Sequence, residues 1–181
     1  MSDNPTHKRS SGALSDYAPL IQMADGLTLS QVCAVSGLEP STVQNWIKRG
    51  FVPRPERKKY RERHLARILL ISKLKDSMQI DRVGELLRYL NGDTDDTSDD
   101  IISEEELYDL FGILSEKLRD CVPPPDKAHI IAEEVMSGYP ADKESRDKIT
   151  KALSVMACTY MANLYKTKAD CLTYISLFLD S

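Results

Sequence analysis

The chain has 181 residues, of which 41% are hydrophobic and 29% are charged, so it is long enough for one compact domain or two small ones. Its net charge of -4 is unevenly distributed, because residues 41–90 carry 13 Lys or Arg against 5 Asp or Glu, whereas residues 92–135 carry 3 against 14. Only the first of these segments suits a polyanionic partner.

The N-terminal residues 1–13 are polar and have no apolar face, which predicts a disordered tail. They contain no apolar core of a signal peptide, and the longest uncharged stretch of the C-terminal half, residues 152–165, is too short and too polar to cross a bilayer. The cysteines are widely separated and form no CxxC pair, so we expect reduced thiols. Together these features predict a cytoplasmic protein.

After a short helix expected between Ser15 and Gly26, the segment from Thr28 to Gly50 has the pattern of two short helices joined by a tight turn. Apolar residues recur at helical spacing in both halves, with Trp46 on the stripe of the second helix. Gly37 falls at the turn and Pro40 at a first helical position. This punctuation predicts a helix-turn-helix with Trp46 buried.

The outer face of the second helix is then polar and basic. A short helix of this kind fits the major groove of B-DNA, where Asn and Gln can pair with adenine and cations can meet guanine or phosphate. The residues expected on this face are Ser41, Thr42, Gln44, Asn45, Lys48 and Arg49.

Residues 51–61 combine basic side chains with Pro53 and Pro55, which exclude a helix and favour an extended segment. We expect a short β-hairpin, or wing, that meets the DNA backbone and adds affinity without sequence information. The expected phosphate contacts are Arg54, Arg57, Lys58, Lys59, Tyr60 and Arg61. The alternative is a solvated basic loop that binds protein or has no partner.

Two amphipathic helices are predicted next, near residues 65–74 and 80–90. Residues 92–102 are rich in Asp, Ser, Thr and Gly, and we interpret them as an acidic linker between a domain at 14–91 and another at 103–181. Their acidic spacing resembles a calcium loop but lacks its central glycine, so a linker is the commoner explanation.

The C-terminal domain is predicted to be a bundle of helices that serves dimerisation or effector binding. Ser103 and Glu106 have the spacing of a capping box at the start of its first helix. Further helices are expected near 126–137, 142–165 and 168–180, with a break near Thr167. Apolar residues surround the last of them, which indicates burial in the bundle or against a second protomer.

Thr28 to Leu90 resembles the DNA-binding domain of the MerR family of winged helix-turn-helix regulators. The similarity is carried by the stretches Thr28-Leu29, Gly37-Leu38, Thr42-Val43-Gln44-Asn45-Trp46, Arg49-Gly50-Phe51, Lys58-Lys59-Tyr60 and Gln79-Ile80 with Val83. More narrowly, NWIKRGFVPRPERKKY with LLISKLK is similar to an uncharacterised bacterial family that has a MerR-like domain and an all-helical C-terminal region.

The resemblance implies an all-α fold with a short β-wing, double-stranded DNA as partner, and phosphate contacts from Lys58 and Tyr60. The sequence departs from the MerR pattern at Gln44, where the family usually has arginine, in the short wing, and in the expected lack of a long terminal helix. The last departure leaves a homodimer through the C-terminal helices as one possibility among others. The alternative function is a protein-interaction adaptor that no longer binds DNA.

No enzyme, cofactor or metal site is expected, because the histidines are isolated and no catalytic or nucleotide-binding motif is present. A metal-sensor role for the thiols is the less favoured reading, since small buried hydrophobes explain them more simply. The cysteines concerned are Cys33, Cys121, Cys158 and Cys171.

Overall fold

The computed structural model describes residues 14–120 and 123–178. The predicted disordered tail, residues 1–13, lies outside this range. Within it the protein is mostly helical and has no strand, in agreement with the expected all-α class. After a short 3-10 turn at Leu14–Asp16, the α-helices are α1 (Ala18–Met23), α2 (Leu29–Ser36), α3 (Pro40–Lys48), α4 (Glu62–Leu74), α5 (Ile80–Asn91), α6 (Glu104–Asp120), α7 (Ala128–Met136) and α8 (Lys143–Phe178).

The turn between α2 and α3 follows from local sequence. Thr28 caps α2, since its side chain accepts from the Gln31 amide while the Gln31 side chain accepts from the Thr28 amide. Gly37 ends α2 with a φ of 68°, a left-handed conformation that glycine adopts without steric cost. Pro40 opens α3, and Val43 and Trp46 are buried. The predicted helix pair and its buried tryptophan are therefore confirmed.

The expected β-wing is not supported, because the described residues contain no strand. Only isolated bridges join Leu27 to Tyr60 and Glu56 to Lys59. Pro53 and Pro55 lack the N–H donors that a ladder needs, so pairing cannot extend toward Phe51. We call residues 54–61 the basic turn.

At the tip of the basic turn, Arg57 and Lys58 have φ values of 48° and 62°. The Lys59 amide donates to the Glu56 carbonyl across 2.8 Å, which closes a turn like the type I′ turn of two-residue hairpins. Glycine and asparagine usually occupy such positions, so two basic residues here are unusual.

Helix α4 is the centre of the core. Eight of its thirteen residues are buried, and it contacts α2, α5, α6 and α8. The apolar core is continuous from Leu14 to Met161. Residues 92–102 thus connect α5 and α6, which both pack against α4 and α8. The division into domains at 14–91 and 103–181 stays a prediction.

Helices α6, α7 and α8 pack together as the C-terminal part of the described chain. Ser103 and Glu106 form the predicted capping box, since the Glu106 amide donates to Ser103 Oγ and the Ser103 amide donates to Glu106 Oε2. The predicted break near Thr167 is wrong, because α8 runs unbroken from Lys143 to Phe178. No Gly or Pro interrupts this stretch, and Thr173 Oγ1 donates back to the Ala169 carbonyl without breaking the helix. Among the residues described, no helix is long and apolar enough to span a membrane.

Candidate nucleic-acid interface

The outer face of α3 carries the polar residues that the sequence placed there. Ser41, Gln44, Asn45 and Lys48 are exposed, and Thr42 is half-buried. On the opposite face, the burial of Trp46 fixes the rotation of the helix about its axis. The exposed amides are therefore held outward by packing on the inner face rather than by contacts of their own.

Arg49 is exposed, but it already has partners. Its Nη2 donates to Asp81 Oδ1 across 2.6 Å, and its guanidinium lies 4.5 Å from the centre of the Phe51 ring. Exposed ion pairs contribute little stability, so Asp81 can be exchanged for another anion at small cost. The Phe51 contact orients the guanidinium at the end of α3.

The basic turn supplies only part of the expected phosphate-binding set. Arg54, Arg57, Lys58 and Arg61 are exposed. Arg61 forms an ion pair with Asp25 across 3.2 Å. The side chains of Arg54, Arg57 and Lys58 have no polar partner within the described residues, so they are the available cations of the turn.

Lys59 and Tyr60 have positions different from those expected. Lys59 Nζ donates to the carbonyls of Ala24 and Gly26, at 2.9 and 3.2 Å, and so satisfies backbone acceptors after α1. Tyr60 is only 4% exposed, and burial raises the pKa of its hydroxyl. Its backbone pairs with Leu27. Both residues therefore stabilise the basic turn from its buried side. Their hydrogen bonds to Gly26 and Leu27, each 33 residues earlier in the sequence, hold this segment against the core.

His64, which the sequence left without a role, joins the two ends of the basic turn. Its Nδ1 accepts from the Arg61 amide at 3.1 Å, and Nε2 lies 3.4 Å from the Arg54 carbonyl, to which its N–H donates. Burial is the main reason that its pKa is lowered, with the nearby Arg63 charge acting in the same direction. The neutral ring thus fixes the turn. Its position three residues after Arg61, at the start of α4, was the available sequence signal.

Arg67 is a second residue that the sequence did not reveal. It is 2% exposed, donates from Nε to the Phe51 carbonyl at 2.6 Å, and forms a buried ion pair with Glu104. It therefore links Phe51, three residues after the end of α3, to the first residue of α6. The signal was a basic residue on the apolar stripe of α4, between Leu65 and Ile68.

Residues 92–102, which we call the acidic segment, contact the same region. Thr94 Oγ1 donates to the Gly50 carbonyl at 3.0 Å, and Arg63 donates to the Thr94 carbonyl at 2.8 Å. Asp95 Oδ1 accepts from the Arg54 amide at 3.0 Å. These hydrogen bonds hold residues 93–95 beside the end of α3 and the start of the basic turn.

The cysteines have varied surroundings. Cys33 packs partly against the core, and burial, then the Glu39 charge, raises the pKa of its thiol. Cys158 and Cys171 are exposed, which corrects the expectation of buried hydrophobes for these residues. Cys121 lies outside the described residues. Within residues 14–120 and 123–178, no three His, Cys, Asp or Glu side chains are placed to hold a metal ion.

Residues 22–111 match the model of a family described as a domain of unknown function, DUF1836. The match extends from α1 across the acidic segment into α6, and it agrees with the resemblance to an uncharacterised family. No curated protein and no solved structure matches the chain.

Proposed function

We propose that the protein is a DNA-binding transcriptional regulator in which α2 and α3 act as a helix-turn-helix. The observation that carries this proposal is the exposed face of α3, whose polar and basic residues lie opposite the buried Val43 and Trp46. In the proposed complex α3 enters the major groove, where Gln44 and Asn45 meet base edges. No catalysis is proposed for this site.

The basic turn is proposed to contact phosphates beside the groove. Arg54, Arg57 and Lys58 are exposed within a few residues of the end of α3. Such contacts position a protein on the duplex and add affinity that is independent of sequence. In this respect the basic turn would act like the wing of a MerR-type protein, although it does not form a β-ladder. The proposed location of the protein is the cytoplasm, where a regulator meets bacterial DNA.

We further propose a homodimer through the C-terminal helices, because one short helix offers a small contact area to DNA. Along α8, apolar residues alternate at spacings of three and four and lie outward on one stripe. We call this stripe the α8 seam, and its members are Val155, Cys158, Ala162, Tyr165, Ala169 and Leu172. Tyr165 and Leu172 are 54% and 55% exposed, and they belong to the same stripe, so the exposed apolar surface is contiguous rather than scattered.

The alternative function is a protein-interaction adaptor, which the ion pair of Arg49 with Asp81 favours, since it occupies one of the proposed DNA contacts. The two are separated by binding of a mixed-sequence duplex to wild type and to Arg57→Ala/Lys58→Ala. These residues are preferable to Lys59, whose side chain supports the fold. The regulator should bind, and the variant should bind less well on every sequence.

A matched control is Lys143→Ala/Lys151→Ala, which removes the same charge from exposed positions on α8. It should bind like wild type if the basic turn is the contact surface. An equal loss of affinity in both double variants would indicate a nonspecific charge effect. Absence of duplex binding by wild type would favour the adaptor.

A further inference from the structure

Beside the end of α3 lies a cleft of about 480 Å³, bounded by α5 and by the acidic segment. This volume is within the usual range of small-molecule sites. Four basic side chains line it. Lys48 belongs to α3, Arg49 and Arg54 follow α3 in the chain, and Arg88 belongs to α5. We call it the α3–α5 cleft.

Three of these cations have no counterion. Arg49 is paired with Asp81, but the side chains of Lys48, Arg54 and Arg88 have neither a hydrogen bond nor an ion pair in the part of the chain that the structure describes. The cleft lining has more cations than carboxylates, since Asp93 and Asp95 are its acidic members, and this excess of positive charge favours an anion. Arg88 is exposed near the end of α5.

The backbone around the cleft is held in place. The Arg54 amide is bonded to Asp95, and the Gly50 carbonyl accepts from Thr94. The Phe51 amide donates to the Trp46 carbonyl, which satisfies one acceptor at the end of α3. A ligand therefore meets a largely preformed site and need not order a loop, which favours binding.

Asp93 and Asp95 form the opposing wall. Their carboxylates accept hydrogen bonds from backbone amides, Asp95 from Arg54 and Asp93 from Asp95. They therefore have a structural role, but their charges oppose an incoming anion. An Asn at position 95 would keep the acceptor oxygen and remove the charge.

We propose that the α3–α5 cleft is a phosphate-binding subsite in which Arg88 joins Lys48 and Arg54. Arginine offers paired donors that match phosphate oxygens, and lysine adds a compact charge. The phosphate can belong to the DNA backbone or to a free phosphorylated molecule. If the phosphate belongs to DNA, the inference rests on the proposed function, and the DNA-binding surface then extends from α3 and the basic turn to α5.

The experiment compares Arg88→Ala with Arg82→Ala on the same helix, where Arg82 is exposed and ion-paired with Glu85. One arm measures the affinity for a mixed-sequence duplex at several salt concentrations, and the other measures the binding of inorganic pyrophosphate alone by calorimetry. Circular dichroism confirms that each variant is folded.

If the phosphate is that of DNA, Arg88→Ala should weaken duplex binding on every sequence and reduce the slope of log affinity against log salt by about 0.9. Arg82→Ala should match wild type, and Asp95→Asn should bind more tightly. Pyrophosphate binding that depends on Arg88, without duplex binding, would support the subsite and contradict the proposed function. The inference is wrong if Arg88→Ala equals Arg82→Ala in both arms, even if wild type binds DNA.

Discussion

His64 shows how one buried side chain can control an exposed one. Its ring forms hydrogen bonds at both ends of the basic turn. It therefore helps to fix the position of Arg57 and Lys58 at the tip without contacting their side chains. Replacing it removes the partner of a backbone donor and of a backbone acceptor. A buried group that loses its partner costs about 1–3 kcal/mol.

We therefore expect His64→Phe to lower the free energy of unfolding by about 1–3 kcal/mol at pH 7.5, as measured by urea denaturation. The control is His129→Gln, because His129 is exposed, and it should change stability by less than about 0.5 kcal/mol. Equal effects of the two substitutions would contradict the role of His64.

The difference in stability between wild type and His64→Phe should change with pH in a defined direction. Burial lowers the pKa of His64, so its contribution is present above the unfolded pKa of about 6.5 and is lost as pH falls through the folded value. Burial and the Glu104 charge raise the pKa of Asp100 to about 6, which acts in the opposite direction, since protonation relieves it. The stability gap between wild type and His64→Phe, which leaves Asp100 unchanged, should therefore narrow below pH 6.5. A gap that widens there would be inconsistent with a neutral His64.

At the scale of elements, the contact between α5 and the end of α3 depends on a glycine. A Cβ atom at Gly84 would lie 2.7 Å from two atoms of the Phe51 ring. Phe51 in turn contacts the Arg49 guanidinium, so the spacing of α5 from this ring affects the end of α3. Helix propensity alone would favour alanine at Gly84 by about 1 kcal/mol.

We expect Gly84→Ala to destabilise the protein by about 1–3 kcal/mol, because overpacking outweighs the gain in propensity. Gly112 in α6 is the matched control, since a Cβ atom there would meet no atom within 4 Å. Gly112→Ala should therefore raise the thermal midpoint while Gly84→Ala lowers it. Midpoints that shift in the same direction would refute the close-contact argument.

The helices from α2 to α6 could be predicted because apolar periodicity and capping residues are local signals. The conformation of the basic turn could not be predicted from the sequence. It depends on the bridge of Tyr60 to Leu27 and on the hydrogen bonds of Lys59 to the chain after α1. These contacts are distant in sequence. The two residues were therefore predicted at the DNA surface, although Tyr60 is buried and the Lys59 side chain is bonded to backbone carbonyls.

At the scale of the whole molecule, the acidic segment lies beside the basic turn, and residues 165–174 near the C-terminal end of α8 are exposed. The sequence predicted the charge asymmetry but not that residues 93–95 would line a cleft with Lys48 and Arg88. It also did not predict the continuity of α8, because polar residues around Thr167 obscured the seam. Both features bear on the proposed assembly on DNA.

The α8 seam predicts a dimer in solution. Light scattering after size exclusion should give twice the chain mass for wild type and the chain mass for Tyr165→Glu/Leu172→Glu, because a buried charge disfavours a helix-helix interface. Thr167→Glu lies about 200° around the helix from Tyr165 and should remain dimeric. A wild-type monomer at the concentrations used for DNA binding would contradict the dimer.

The most direct test of the central claim is the affinity of the wild-type protein for a mixed-sequence duplex, measured by fluorescence anisotropy between 50 and 200 mM salt. With five available cations, Lys48, Arg54, Arg57, Lys58 and Arg88, the account predicts that affinity falls by roughly 10²–10³ over this range. Absence of binding at the lowest salt, or binding that does not change with salt, would contradict it.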